Sequence, residues 1–173
     1  MWSFLDHYCD KQAVAAESNM RDTSNQELPY FISGPKSDHR LSTEETVAIG
    51  VQLWEQGSHQ LQALAKLYHF SYFHFLQPDQ YVTDSKPFSE EELANAYQPK
   101  NPRYAYITDA YPLLEAGVVR LHASGEDVVS LTSLFKKEPR TVYRDECCHF
   151  NDLGNQLMVD AIGKHIADSY KKH

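Results

Sequence analysis

The sequence has no apolar run approaching the roughly 18 residues of a membrane-spanning helix. Its first residues, Met1-Trp2-Ser3-Phe4-Leu5-Asp6-His7, lack the basic stretch and apolar core of a signal peptide. Basic residues are in deficit: 16 Lys and Arg stand against 24 Asp and Glu, a formal charge of −8. A surface that neutralises phosphates needs the opposite balance, so no nucleic-acid partner is expected. Cysteine is scarce and odd in number (Cys9, Cys147, Cys148), which excludes a disulfide framework and leaves the compartment open. Internal repeats and low-complexity segments are also absent. What remains is an ordinary globular composition, 42% hydrophobic and 23% charged, in 173 residues. That length supports one domain, residues 1–173, with a real core.

Periodicity divides the chain into helices and two strands. Residues 1–22 have helical character, with Trp2, Leu5, Tyr8 and Cys9 on one face, and 23–40 read as a loop turning at Ser33-Gly34-Pro35. Ser42 stands three residues before Glu45, the spacing of a capping box, and an apolar stripe follows at Val47, Val51, Trp54, Leu61, Leu64 and Leu67. Gly57-Ser58 can bend that helix. The aromatic run Tyr68–Leu76 predicts a strand covered on both faces, stopped by Gln77-Pro78-Asp79. Residues 83–103, with Pro87, Pro99 and Pro102, form a long excursion of the kind that covers a site, with a short acidic helix near Ser89–Leu93.

A helix over 105–123 containing Pro112, a strand over Asp127–Phe135, an extended piece over Arg140–Phe150 and a final helix over 151–170 complete the order. Asn151 suits the N-cap of that last helix, and Leu153, Leu157, Val159, Ile162 and Ile166 predict its buried face. Helices alternating with strands indicate an α/β fold with a parallel sheet. A complete doubly wound sheet has four to six strands, so two imply that the first part of the sheet is absent.

Chemistry concentrates in Tyr143-Arg144-Asp145-Glu146-Cys147-Cys148-His149-Phe150-Asn151-Asp152-Leu153-Gly154-Asn155, where two carboxylates and a histidine share a loop before a helix. Histidine can serve as a general base near neutral pH. A carboxylate three or four residues upstream can fold back on the ring, fix its tautomer and stabilise the imidazolium. The same spacing also suits a histidine that merely docks a loop. Cys147, Cys148 and His149 lack the spacing of a zinc site. Cys148 is poorly placed as a nucleophile, because neighbours on an extended strand face opposite ways. His69 and His74 read as strand histidines on opposite faces, and Gln77, Asp79 and Gln80 as turn caps or pocket lining.

The run D-E-C-C-H-F-N-D-L-G-N before an amphipathic helix resembles the last conserved block of the SGNH (GDSL-type) serine hydrolases. The segment F-H-F-L-Q-P-D-Q-Y, residues 73–81, is similar to a strand-end segment in a subgroup of them. The likeness covers about two thirds of the chain and is sharp only at 143–155. It implies a partial flavodoxin-like three-layer fold and carboxylic-ester hydrolysis by a Ser-His-Asp/Glu mechanism, with no cofactor and no metal. His149 matches the family's base. Glu146 occupies the family's acid position, three residues before the histidine, while Asp145 lies four before. The family acid is usually Asp, so Asp145 is slightly favoured.

The chain departs from the family at its start: no G-D-S block, glycine block or G-x-N-D block is found. The nucleophile and oxyanion donors are therefore expected to lie outside it, and the isolated chain to be inactive. The substrate class implied is a small-molecule or acylated-carbohydrate ester. The alternative is a truncated, catalytically inactive binding or interaction module. An incomplete sheet would also leave an exposed edge for self-association.

Overall fold

A computed structural model describes residues 41–100 and 103–171. The chain divides between Arg40 and Leu41 into two units, and every described residue belongs to the second, Leu41–His173. The expected helix over 1–22 and the loop over 23–40 lie outside the described residues, and the single-domain expectation spans both units. The described elements run α1 (Thr43–Tyr68), β1 (His74–Leu76), α2 (Glu90–Asn95), α3 (Arg103–Ala123), β2 (Val128–Ser130) and α4 (Asp152–Tyr170). The result is an α/β arrangement around a two-stranded parallel sheet. No described helix is long and apolar enough to cross a membrane.

The starts of α1, α2 and α4 are chemically specified. Ser42 Oγ accepts from the Glu45 N–H at 3.1 Å while the Glu45 carboxylate accepts from the Ser42 N–H at 2.8 Å. This reciprocal box satisfies two donors that the first turn would otherwise leave open. Ser89 and Glu92 repeat the device at α2, and Asn151 Oδ1 caps α4 by accepting from Gly154 N–H at 2.9 Å. At its other end α1 stops at His69, whose φ of 58° turns the chain left-handed and whose N–H bonds to the Ala65 carbonyl.

The strands pair in parallel, His74 with Val128, Phe75 with Val129 and Leu76 with Ser130. Both are shorter than the sequence suggests. His69 belongs to the cap of α1, not to β1, and the ladder ends where Leu131 N–H donates to Leu76 O. Pro78 follows soon after and cannot donate. Beyond Leu131 the chain turns, with Leu134 N–H to Leu131 O and Lys136 N–H to Ser133 O, so 132–135 is not strand.

Side-chain alternation along β1 sets the layers. His74 meets Trp54 of α1 at 4.5 Å between ring centroids, whereas Phe73 and Phe75 meet His165 of α4 edge-on at 6.1 and 5.5 Å. Helices therefore cover both faces of β1.

The buried faces of the long helices shift from the expected ones. On α1, Val47, Val51, Ser58 and Ala65 are buried, whereas Leu61, Leu64 and Leu67 are exposed. On α4, Val159 is exposed and Met158 packs inward with Leu153 and Leu157. Those three side chains, with Phe88, Leu134 and Phe150, surround a fully buried cluster of Ala96, Phe135, Val142 and Tyr143.

Gly154 marks the tightest approach in this layer. A Cβ there would lie 2.8 Å from the Val142 carbonyl oxygen and 2.9 Å from the Phe150 Cβ, neither of them a flexible side-chain end. Gly163 of the same helix has open space. Gly154→Ala is expected to destabilise by about 1–3 kcal/mol through overpacking. Gly163→Ala should be neutral or stabilising by up to about 1 kcal/mol. Urea unfolding of the two variants checks the contrast.

Candidate active site

Residues 142–151 fold back on themselves. Tyr143 and Phe150 form an antiparallel bridge, Arg144 N–H donates to His149 O at 2.8 Å, and Asn151 N–H to Val142 O at 2.8 Å. The turn between them brings Asp145 onto the imidazole, with His149 Nδ1 2.8 Å from Asp145 Oδ2. The other carboxylate oxygen of Asp145 accepts from Cys147 N–H at 2.9 Å and, at 3.5 Å, from His149 N–H. These contacts hold the Asp145 carboxyl below the usual carboxylate range, the His149 ring bond contributing most.

A carboxylate only accepts, so Nδ1 must carry the proton it donates. In the neutral ring Nε2 is then the unprotonated, basic nitrogen. The ring is exposed, with about two thirds of the side chain accessible. Glu146, the acid candidate three residues before His149, does not hold the ring; its backbone carbonyl accepts from Tyr81 Oη at 3.4 Å.

The segment after β1 seats this hairpin. Gln80 Nε2 donates to Asp145 O at 3.0 Å, and Gln77 Nε2 lies 3.6 Å from Cys148 Sγ. Gln80 and Asp79 are buried, so they do more than cap an exposed turn: Asp79 accepts from Tyr81 N–H at 2.8 Å, and burial raises its pKa. The hairpin thus lies against residues that directly follow the carboxyl end of a parallel strand, where α/β folds build their sites.

Cys148 is not extended, as the sequence suggests, but left-handed with φ of 65°. Burial, then Asp79 and Cys147, push its thiol pKa up, which disfavours the thiolate a cysteine nucleophile requires. Among the described residues no group of three or more His, Cys, Asp or Glu side chains is arranged to hold a metal ion.

Sequence reading missed a second polar cluster. Ser58 Oγ, buried in the middle of α1, donates to Glu126 Oε2 at 2.6 Å and lies 2.9 Å from His74 Nδ1. His59 Nδ1 holds the other Glu126 oxygen. The residue types are those of a triad, but the order of contacts is wrong for catalysis. The acid takes the serine proton's hydrogen bond, so Ser58 can only accept from His74 Nδ1–H and is not deprotonated by it. The signal available in sequence was a serine on the apolar stripe of α1, and nothing in the spacing connected it to residues 74 and 126.

No protein-family model, curated protein or solved structure matches this chain.

Two pH effects follow. His74 has a lowered pKa, chiefly from burial, partly offset by Glu126. Its folded form prefers the neutral ring, so stability should fall as pH drops through the unfolded value of about 6.5. His74→Gln is expected to flatten that fall between about pH 7 and 5 in urea titrations. Asp145 has the same sign in a more acid range: its stabilising contact is complete above the ordinary Asp value of about 3.9 and is lost as pH falls through the depressed folded one. His149→Ala should raise the Asp145 carboxyl toward the ordinary range in a carbon-13 NMR titration, the Cys147 N–H bond remaining.

Proposed function

We propose that this chain supplies the histidine–acid half of a carboxylic-ester hydrolase of the SGNH type, built on a flavodoxin-like three-layer domain. The observation that carries the reading is the Asp145–His149 pair, with Nδ1 held by the carboxylate and Nε2 left basic. In this role Nε2 takes the proton of a serine hydroxyl as that oxygen attacks the ester carbonyl. The same nitrogen then returns the proton to the leaving alcohol, and Asp145 stabilises the imidazolium in between. The substrate class is a small ester, acylated carbohydrates included.

Among the described residues no serine is hydrogen-bonded to His149, so the nucleophile belongs to another segment. That same observation favours a second reading, a catalytically inactive α/β binding module in which the pair only braces the hairpin. Exposed Leu53, Leu61, Leu64 and Leu67 on α1 support self-association as a companion proposal.

The test is fluorophosphonate labelling with peptide mapping, beside turnover of short-chain aryl esters. The 173-residue chain alone should show neither labelling nor turnover above background, because oxyanion donors are each worth about 2.7–4 kcal/mol and no serine among the described residues is bonded to His149. The natural gene product, purified whole, should label on one serine, and His149→Ala should abolish it. Absence of any His149-dependent labelling or turnover in that product would sink the esterase reading in favour of the binding module.

A further inference from the structure

Lys86 and Glu92 form an ion pair with both side chains wholly inaccessible to solvent. Lys86 Nζ also donates to Pro87 O at 2.9 Å and Arg140 O at 3.3 Å. Glu92 Oε2 accepts from Ser89 N–H at 2.9 Å, and Oε1 accepts from both Val142 N–H and Tyr143 N–H, at 2.9 and 3.0 Å. Burial opposes ionisation of Glu92, but Lys86 and the three backbone donors outweigh it and hold the carboxyl below its usual range.

Buried ion pairs are poor stabilisers, and well-packed apolar replacements are often neutral or better. What an apolar pair cannot do is accept from two consecutive amides. Successive N–H groups of an extended chain point to opposite sides, so convergence of Val142 and Tyr143 on one oxygen pins two consecutive amides at the root of the hairpin. From there the chain runs directly to Asp145 and His149.

At its far side the hairpin meets the segment after β1 through Gln80 to Asp145 O, Tyr81 to Glu146 O and Gln77 to Cys148 Sγ. We propose that Glu92, paired with Lys86, is a positioning residue: its Oε1 sets where the His149–Asp145 hairpin sits over the segment after β1. As a statement about catalysis this rests on the esterase reading above; as a statement about the hairpin it does not.

The experiment reads the Gln77–Cys148 contact directly, through iodoacetamide alkylation of Cys148 followed by peptide mapping. Lys86→Met with Glu92→Leu removes the charges and the acceptor together, and Cys148 should alkylate about tenfold faster through local opening. Lys86→Met with Glu92→Gln removes the same charges but keeps a carbonyl oxygen for Val142 and Tyr143, and should stay within about twofold of the unaltered chain. Should the leucine variant fail to fold, Glu92→Asp serves instead, since it keeps the charge but withdraws the acceptor by one methylene. It should raise the Cys148 rate in the same direction.

Equal Cys148 rates in the unaltered chain and in every folded variant overturn the proposal. So does an equal rise in the leucine and glutamine variants, which would mean that only the ion pair matters. Both results stand whatever the ester assay returns. Loss of the esterase reading with these rates as expected would leave a positioned hairpin without that chemistry.

Discussion

Three backbone N–H groups and one ammonium converge on the Glu92 carboxylate in a space that solvent does not reach. Withdrawing that acceptor would leave several buried donors unsatisfied at once, each at a cost of about 1–3 kcal/mol. The residue at N3 of a six-residue helix therefore links the excursion after β1 to the hairpin before α4. The packing above it follows. Val142 and Tyr143, whose amides Glu92 binds, are half of the fully buried cluster against which Phe150, Leu153 and Leu157 pack. Gly154 then has no room for a side chain, because its helix sits directly on the Val142 carbonyl.

The two histidine–carboxylate arrangements in this unit show how contact order separates chemistry from structure. At Asp145–His149 the acid holds Nδ1 and the ring is exposed, so the basic nitrogen is available. At Glu126 the acid is buried, holds Ser58 and His59, and leaves His74 to close the cluster. That cluster joins α1 to the start of β1 and to the residue two before β2, all at the amino ends of the strands. The Asp145 hairpin lies beyond their carboxyl ends. One end is tied by polar contacts that bury serine and carboxylate, and the other presents an imidazole.

Local signals in the sequence were the legible ones. Ser42 with Glu45 and Asn151 before its apolar periodicity placed two helix starts correctly, since capping depends on residues three apart. The Asp145–His149 pairing was readable for the same reason, being a contact across four residues. Strand length was not, because the ends of β1 and β2 are set by each other: the ladder stops where Leu131 meets Leu76, fifty-five positions away in sequence. The aromatic run from Tyr68 looked continuous, yet His69 turns left-handed to cap α1. The apolar stripe of α1 was misjudged in the same way. Gly57 and Ser58 interrupt its hydrophobicity, but Ser58 is the buried position because Glu126 reaches it from beyond α3. Glu92 looked like one more charge on an acidic helix, and only its contacts with Lys86, Val142 and Tyr143 make it a core residue.

The ionisation of these groups constrains the pH range over which the hairpin can work. Glu92 and Asp145 both lie below the usual carboxylate range, one through Lys86 and backbone donors against its burial, the other through the His149 ring. Each contact is complete above the ordinary carboxylate values of about 3.9–4.3 and fails as pH falls through the depressed ones. The root of the hairpin and the pairing at its tip are therefore both lost to acid, below the ordinary carboxylate values. Between about pH 5 and 8 both carboxylates stay charged, and the contacts they make in the hairpin persist. Changes in that interval must then come from imidazoles or from groups elsewhere, and His74, at the opposite end of the strands, is the described histidine whose burial makes acid costly there.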